Sequence, residues 1–147
     1  MASSLNSISK LKIPTSAKKF FVNEWGISEL YPPQKKALIP ILNGKNTLIS
    51  IPTASGKSLI AYIGIIQKLM VEKKGSKAVY IVPLKALAGE KFSELSELGK
   101  KLELNVGLSL GDRDGENTDI EEADIIVCTS EKFDSLMRNK PQIMEGI

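Results

Sequence analysis

The chain is 147 residues long, 42% hydrophobic, carries a net charge of +3, and has one cysteine and no histidine. That length suits one packed domain rather than two of ordinary size, and the lack of histidine excludes imidazole acid–base catalysis and zinc chemistry. No apolar run approaches the roughly 20 residues that cross a bilayer, and MASSLNSISKLK has no signal-peptide core, so a soluble, cytoplasmic protein with no membrane partner is expected.

Charge is uneven along the chain: residues 1–101 carry 16 Lys/Arg against 6 Asp/Glu, and residues 102–147 carry 4 against 11. A basic first part suits phosphate-bearing partners, although a solvated lysine-rich surface gives the same count. Residues 1–19 are Ser/Lys-rich and are expected to be partly loose. Next, WGISELYPPQKKALIPIL sets Pro32 and Pro33 before Gln34 at the start of a helix, which stiffens the chain around that glutamine. A glutamine amide offers one donor side and one acceptor side, matching the N6 and N7 edge of adenine and not guanine. Taken alone, Gln34 reads as an ordinary surface residue.

The neighbouring segment changes that reading. NTLISI (46–51) predicts a buried strand, PTASG a loop, and GKSLIAYIGIIQKLMVEKK (56–74) a helix. Strand, loop and helix form the setting of a phosphate loop, where backbone N–H groups and the positive helix end face the phosphates. Thr53, Ala54, Ser55 and Gly56 are small enough to let that backbone approach; Lys57 reaches the β- and γ-phosphates, and the Ser58 hydroxyl helps hold Mg²⁺. ATP with Mg²⁺ is the cofactor pair this pattern predicts. The strict pattern G-x-x-x-x-G-K-[ST] fails only at its first Gly, which falls on Ile51. The plain alternative is a glycine-containing turn with an exposed lysine.

AVYIVP (78–83) predicts a second strand, and Leu84, Leu87, Phe92, Leu95, Leu98 and Leu102 recur behind it at helical spacing. NVGLSL (105–110) and DIIVCT (124–129) read as two more strands, and SEKFDSLMR (130–138) as a short helix ended near Pro141. Strands alternating with helices predict an α/β fold with a parallel sheet covered on both faces. Cys128, inside DIIVC, reads as a small buried hydrophobe. The polar stretch DRDGENTDIEEA (112–123) fails as a calcium loop, since Asn117 and Ala123 stand where Gly and Glu are needed; it reads as an exposed acidic turn.

LYPPQ, IPTASGKS, YIVPLKALAGEKF and CTSEKFDSLMR, in that order between Trp25 and Arg138, resemble successive motifs of the superkiller-like branch of superfamily-two helicases, nearest to archaeal DNA helicases of the Holliday-junction-migration type. The resemblance implies an ATP-driven motor built from two RecA-like P-loop domains with accessory domains behind them. This chain would supply the first, with residues 1–22 as a lead-in and residues 23–147 as the RecA-like ATP-binding domain. Gln34 then matches the adenine-reading glutamine, and Thr53 to Ser58 match motif I, with Lys57 and Ser58 as the catalytic members. Pro83, Leu84 and Lys85 fall in motif Ia, on the nucleic-acid backbone, where a strand gives way to a helix. Gly111 and Asp112 resemble motif Ib, and Thr129, Ser130 and Glu131 the next strand-contacting motif. A solvated lysine on an amphipathic helix is the alternative at Lys85, and a helix cap at Thr129 and Ser130.

One departure is large. No apolar strand ending in Asp-Glu-x-His follows motif I, and the family would place it shortly beyond residue 147; the two arginines, Arg113 and Arg138, lie far from motif I in sequence. The chain is therefore expected to bind ATP and not to hydrolyse it alone. The resemblance implies single-stranded or forked DNA as partner, three-prime to five-prime movement, and a role in repair or fork processing, with an RNA helicase of the same branch as the alternative. A small nucleotide kinase would need more than two arginines to manage its phosphates. A non-catalytic nucleotide-binding module would differ in showing no response of ATP affinity to single-stranded DNA.

Overall fold

The computed structural model describes residues 7–111 and 120–147, so the acidic stretch from Asp112 to Asp119, with the turn and calcium readings made for it, lies outside the described residues. The chain divides into two compact units, Met1–Lys74 and Gly75–Ile147.

In the first unit a 3₁₀ turn (Ile8–Lys10) precedes helices α1 (Thr15–Asn23), α2 (Pro32–Leu42) and α3 (Lys57–Gln67), and α3 runs on into a π turn, Lys68–Glu72. Residues 7–19 are not loose as expected. The Ser7 hydroxyl accepts from Ser9 N–H, Ser7 bridges Glu29, and Ile8, Leu11 and Ala17 are buried. Average composition hid the spacing: the apolar residues among the serines and lysines fall where they can all turn inward. The boundary read between residues 22 and 23 lies in the last turn of α1. Phe20, Phe21, Trp25 and Tyr62 form a chain of rings with centroids 5.0 to 6.2 Å apart, edge-on or tilted, each pair adding about 0.5–1.5 kcal/mol beyond its buried area. Helices α2 and α3 approach closely because residue 64 is glycine; a Cβ there would lie 2.8 Å from Ile41 Cγ2.

The expected strand at 46–51 does not form. Thr47 to Ile51 form no strand, and Leu48 is 97% exposed. An apolar run becomes a strand only when a neighbour accepts and donates its backbone hydrogen bonds, and among the described residues no strand pairs with this one.

The second unit holds β1 (Ala78–Val82), α4 (Lys85–Leu102), β2 (Val106–Ser109), β3 (Ile125–Thr129), α5 (Ser130–Asn139) and a closing 3₁₀ turn, Pro141–Met144. The strands are parallel in the order β1-β3-β2, with Ala78 and Val106 both opposite Ile125, and Val82 opposite Thr129. Every residue of the central β3 is buried. Successive side chains point to opposite faces, so both faces of the sheet are covered there, as expected. On one face Ile126 clusters with Ile120, Ala123, Leu136 of α5 and Ile143, with Val79 packed against them. Helix α4 packs on the sheet with Leu95, Leu98 and Leu102 buried, and a Cβ at Gly99 would lie 2.7 Å from the Leu104 carbonyl oxygen. Cys128 is buried as expected, and desolvation pushes its thiol up to about 11, so it stays protonated at neutral pH. Among the described residues no helix is long and apolar enough to cross a membrane.

Candidate nucleotide and nucleic-acid sites

In the first unit the chain from Ile51 to Ser58 turns sharply into α3. Gly56 adopts the left-handed conformation (φ 72°, ψ 34°) as the N-cap of α3, and no side chain caps that end, which leaves the leading N–H groups of the helix open for an anion. Ala54 is also left-handed, at φ 61°, an arrangement that costs a residue with a Cβ about 1–2 kcal/mol. Left-handed residues in such loops turn successive N–H groups toward one side. The Lys57 ammonium folds over the loop and donates to the carbonyl oxygens of Ile51 (2.8 Å) and Pro52 (2.9 Å). Ser58 follows in the first turn of α3.

Gln34 is 3% exposed and has both ends of its amide engaged. Its Oε1 accepts from Tyr31 N–H at 2.8 Å, capping α2, and its Nε2 donates to the Gly56 carbonyl at 3.2 Å. A Cβ at residue 56 would collide with Gln34 Nε2, so glycine is demanded there by both conformation and space. Gln34 and the loop together line a cavity of about 710 Å³, whose other wall is Gly26 to Pro32 with Ala54 and Leu59. That is the size range of a small-ligand pocket. Tyr31, 69% exposed, is among its lining residues. The structure thus gathers Gln34 with Ala54 and Gly56, while Thr53, Ser55, Lys57 and Ser58 do not line the cavity, and adds the wall from Gly26 to Glu29, which sequence reasoning missed although WGISE stands directly before LYPPQ.

Among the described residues no cluster of three acidic, cysteine or histidine groups could hold a metal. The loop suits Mg²⁺ shared with nucleotide phosphates: Mg²⁺ keeps several waters and takes one or two protein oxygens, and the Ser58 hydroxyl is such an oxygen.

The residues expected on a nucleic-acid strand belong to the second unit. Because Val82 lies opposite Thr129 and Ser109 opposite Cys128, the parallel strands end together. Pro83, Leu84 and Lys85, Gly111, and Thr129 with Ser130 therefore leave the sheet at its carboxyl end, where open α/β sheets bind ligands. Asp112 lies outside the described residues. Leu84 and Lys85 are exposed, and α4 begins there without a side-chain cap. Thr129 is buried and its hydroxyl accepts from Lys132 N–H at 3.4 Å, so the helix-cap reading holds at that position, while Ser130 is exposed.

A sequence profile of DEAD/DEAH box helicases matches residues 31–146. The chain belongs to the DEAD/DEAH box helicase family. An ATP-dependent DNA helicase Hel308 from Pyrococcus horikoshii is 50% identical over 133 residues, covering 90% of this chain and 18% of the relative. The Hel308 of Methanocella arvoryzae is 46% identical over 145 residues, 95% of this chain and 19% of the relative. The chain thus spans less than a fifth of the length of these relatives, and the expected likeness to archaeal superkiller-like helicases is borne out. Among solved structures, a hypothetical ATP-dependent RNA helicase from Sulfolobus tokodaii superposes with TM-score 0.68 at 22% identity over 85% of this chain and 37% of that one, which shows the fold. The DUF1998 helicase MrfA bound to DNA gives TM-score 0.71 at 25% identity over 89% of this chain and 19% of that one. The parallel sheet with its helices is accordingly of the RecA-like α/β class.

A DEAD/DEAH box helicase is named for an acidic run, and this chain has Glu121-Glu122-Ala123-Asp124. That run precedes β3, and the Asp124 carboxylate accepts from Asn105 N–H at 2.8 Å. It sits at the amino end of the sheet, opposite to the end where Thr129 emerges, and works there as a brace between strands.

Proposed function

We propose that the chain is the ATP-binding motor domain of an ATP-dependent DNA helicase or translocase of repair or fork processing, working in the cytoplasm. Residues 1–22 lead into the first RecA-like domain, residues 23–147. ATP with Mg²⁺ is held by Gln34 and by Thr53, Ala54, Ser55, Gly56, Lys57 and Ser58, and Pro83 to Lys85, Gly111, Asp112, Thr129 and Ser130 meet the backbone of single-stranded or forked DNA. The observation that carries the nucleotide reading is the meeting of Gln34 with Gly56 at one cavity. Gln34, Ala54 and Gly56 line that cavity together, which supports reading the amide as the base contact and the loop as the phosphate contact.

Removing Gln34 tests the base. Each neutral hydrogen bond contributes about 0.5–1.5 kcal/mol, so Gln34→Ala is expected to lower the ratio of ATP to GTP affinity about tenfold in calorimetry. An unchanged ratio removes adenine reading from Gln34.

Strand binding is expected to be weak and salt-sensitive with little sequence preference, because its contacts are to phosphates. Lys85→Glu should weaken binding of single-stranded DNA several-fold and flatten its salt dependence by about 0.7 in log–log slope, the share of one phosphate contact. Fluorescence anisotropy across a salt series reads both quantities. Should Lys85→Glu bind with the same affinity and slope as the parent chain, the strand does not run past the start of α4.

A further inference from the structure

We propose that the start of the lead-in, residues 7–13, is a working part of the nucleotide cavity: its bond to Ser28 holds the cavity wall at Ser28 and Glu29 in place beside the base, so that loosening Ile8 weakens ATP and leaves base-free phosphates bound as before. The proposal rests on the reading of this cavity as the ATP site.

The wall from Gly26 to Leu30 lies in no helix or strand, apart from one bridge at Glu29. Ser28 and Glu29, at its middle, are exposed, so packing of their own side chains does little to fix them. Their flanks are tied down: Ile27 N–H donates to the Phe21 carbonyl at 2.8 Å, and Leu30 is buried. Between these anchors the lead-in supplies the backbone contact. Ile8 N–H donates to the Ser28 carbonyl at 3.0 Å, the Ser7 hydroxyl donates to the same oxygen at 3.4 Å, and Ser7 pairs with Glu29 as an antiparallel bridge. The lead-in is itself held, since Ile8, Leu11 and Ile13 are buried and the Lys18 ammonium of α1 donates to the Ser9 carbonyl at 2.8 Å. An irregular, exposed segment opens locally at low cost unless such bonds close it. Only the closed wall offers the base its surface, so the apparent affinity for ATP falls with the fraction of molecules in which the wall is closed. Tripolyphosphate, held by residues 53–58 and lacking a base, does not depend on that fraction.

The test compares the 147-residue chain with Ile8→Pro and Ile8→Val, each titrated calorimetrically with ATP and with inorganic tripolyphosphate, both with Mg²⁺. Proline removes the Ile8 N–H; it suits the first position of the 3₁₀ turn, and Ser7 before it is already extended (φ −101°, ψ 135°), as proline requires. Valine, close to proline in size, keeps the N–H and reports the loss of packing. Ile8→Pro is expected to bind ATP about three- to tenfold more weakly than the parent, the worth of one hydrogen bond, Ile8→Val within about twofold, and all three proteins to bind tripolyphosphate alike. Hydrogen exchange on the unaltered chain reads the same coupling without a substitution and decides the matter if Ile8→Pro does not fold: coupling is reciprocal, so ATP should slow exchange at the Ile8 amide and tripolyphosphate should not. The proposal is overturned if Ile8→Pro binds ATP as the parent does, if Ile8→Val loses as much as Ile8→Pro, if Ile8→Pro loses ATP and tripolyphosphate equally, or if ATP leaves exchange at Ile8 unchanged. A parent chain that binds no ATP ends the reading of the cavity as the ATP site, and the proposal with it.

Discussion

Lys57→Ala is expected to abolish measurable binding of ATP and ADP with Mg²⁺, a loss of about 100-fold or more, because charge-assisted hydrogen bonds to phosphate each contribute about 1.5–3 kcal/mol and this ammonium can make two. In the structure the same ammonium donates to the carbonyl oxygens of Ile51 and Pro52. On the proposed reading, nucleotide binding would be an exchange of partners: two neutral acceptors given up for anionic ones, with Pro52, being exposed, passing to water at little cost. The substitution also takes away the brace that Lys57 gives the loop, so the thermal midpoint should fall by a few degrees, about 1 kcal/mol. Calorimetry on the two proteins decides the matter; equal affinities would end the phosphate-loop reading.

The second large effect is an expected lack of turnover. The 147-residue chain, saturated with ATP and single-stranded DNA, should release phosphate no faster than Lys57→Ala does. Phosphoryl transfer to water requires Mg²⁺ fixed on both sides, a group that orients the attacking water, and cations that take up charge on the γ-phosphate. On the proposed reading Lys57 and Ser58 supply part of this. The sequence contains no Asp-Glu-x-His, the run Glu121 to Asp124 stands at the amino end of the sheet, and the described residues hold no acidic cluster able to keep a metal. An arginine finger alone contributes roughly 10³–10⁵ in rate, and the two arginines of the sequence, Arg113 and Arg138, lie far from Lys57 in sequence. DNA-stimulated phosphate release that vanishes in Lys57→Ala would reveal a catalytic carboxylate within these residues, with Asp112 the first to substitute.

How far the chain could be read in advance depended on how local each cause was. β3 was legible because Ile-Ile-Val-Cys is a short, largely β-branched apolar run between polar residues, which suits a strand buried on both faces, and α4 because its leucines recur at the spacing of one helical face. The motif residues gathered at the carboxyl end of the sheet followed from parallel pairing, a consequence of alternating strands and helices. NTLISI was misread because strand formation there depends on a neighbour that the run itself does not encode. The packing of residues 7–19 was hidden by their polar majority. Nothing in the sequence announced the bond from Gln34 to Gly56, which depends on how α2 and the loop meet, nor the left-handed Ala54, since positive φ is signalled in sequence only by Gly and, more weakly, Asn or Asp.

The unpaired segment from Thr47 to Ile51 has a consequence in time. Among the described residues its amides have no ladder partner, so they are expected to trade hydrogen for deuterium at close to the open-chain rate, and those of β3 only when their unit unfolds. Ile51 leads straight into residues 53–58, and its carbonyl is one of the two that Lys57 grips. Whatever orders the segment, whether a strand laid along its edge or a ligand that tightens residues 53–58, is expected to slow exchange at these amides, which makes them a local clock.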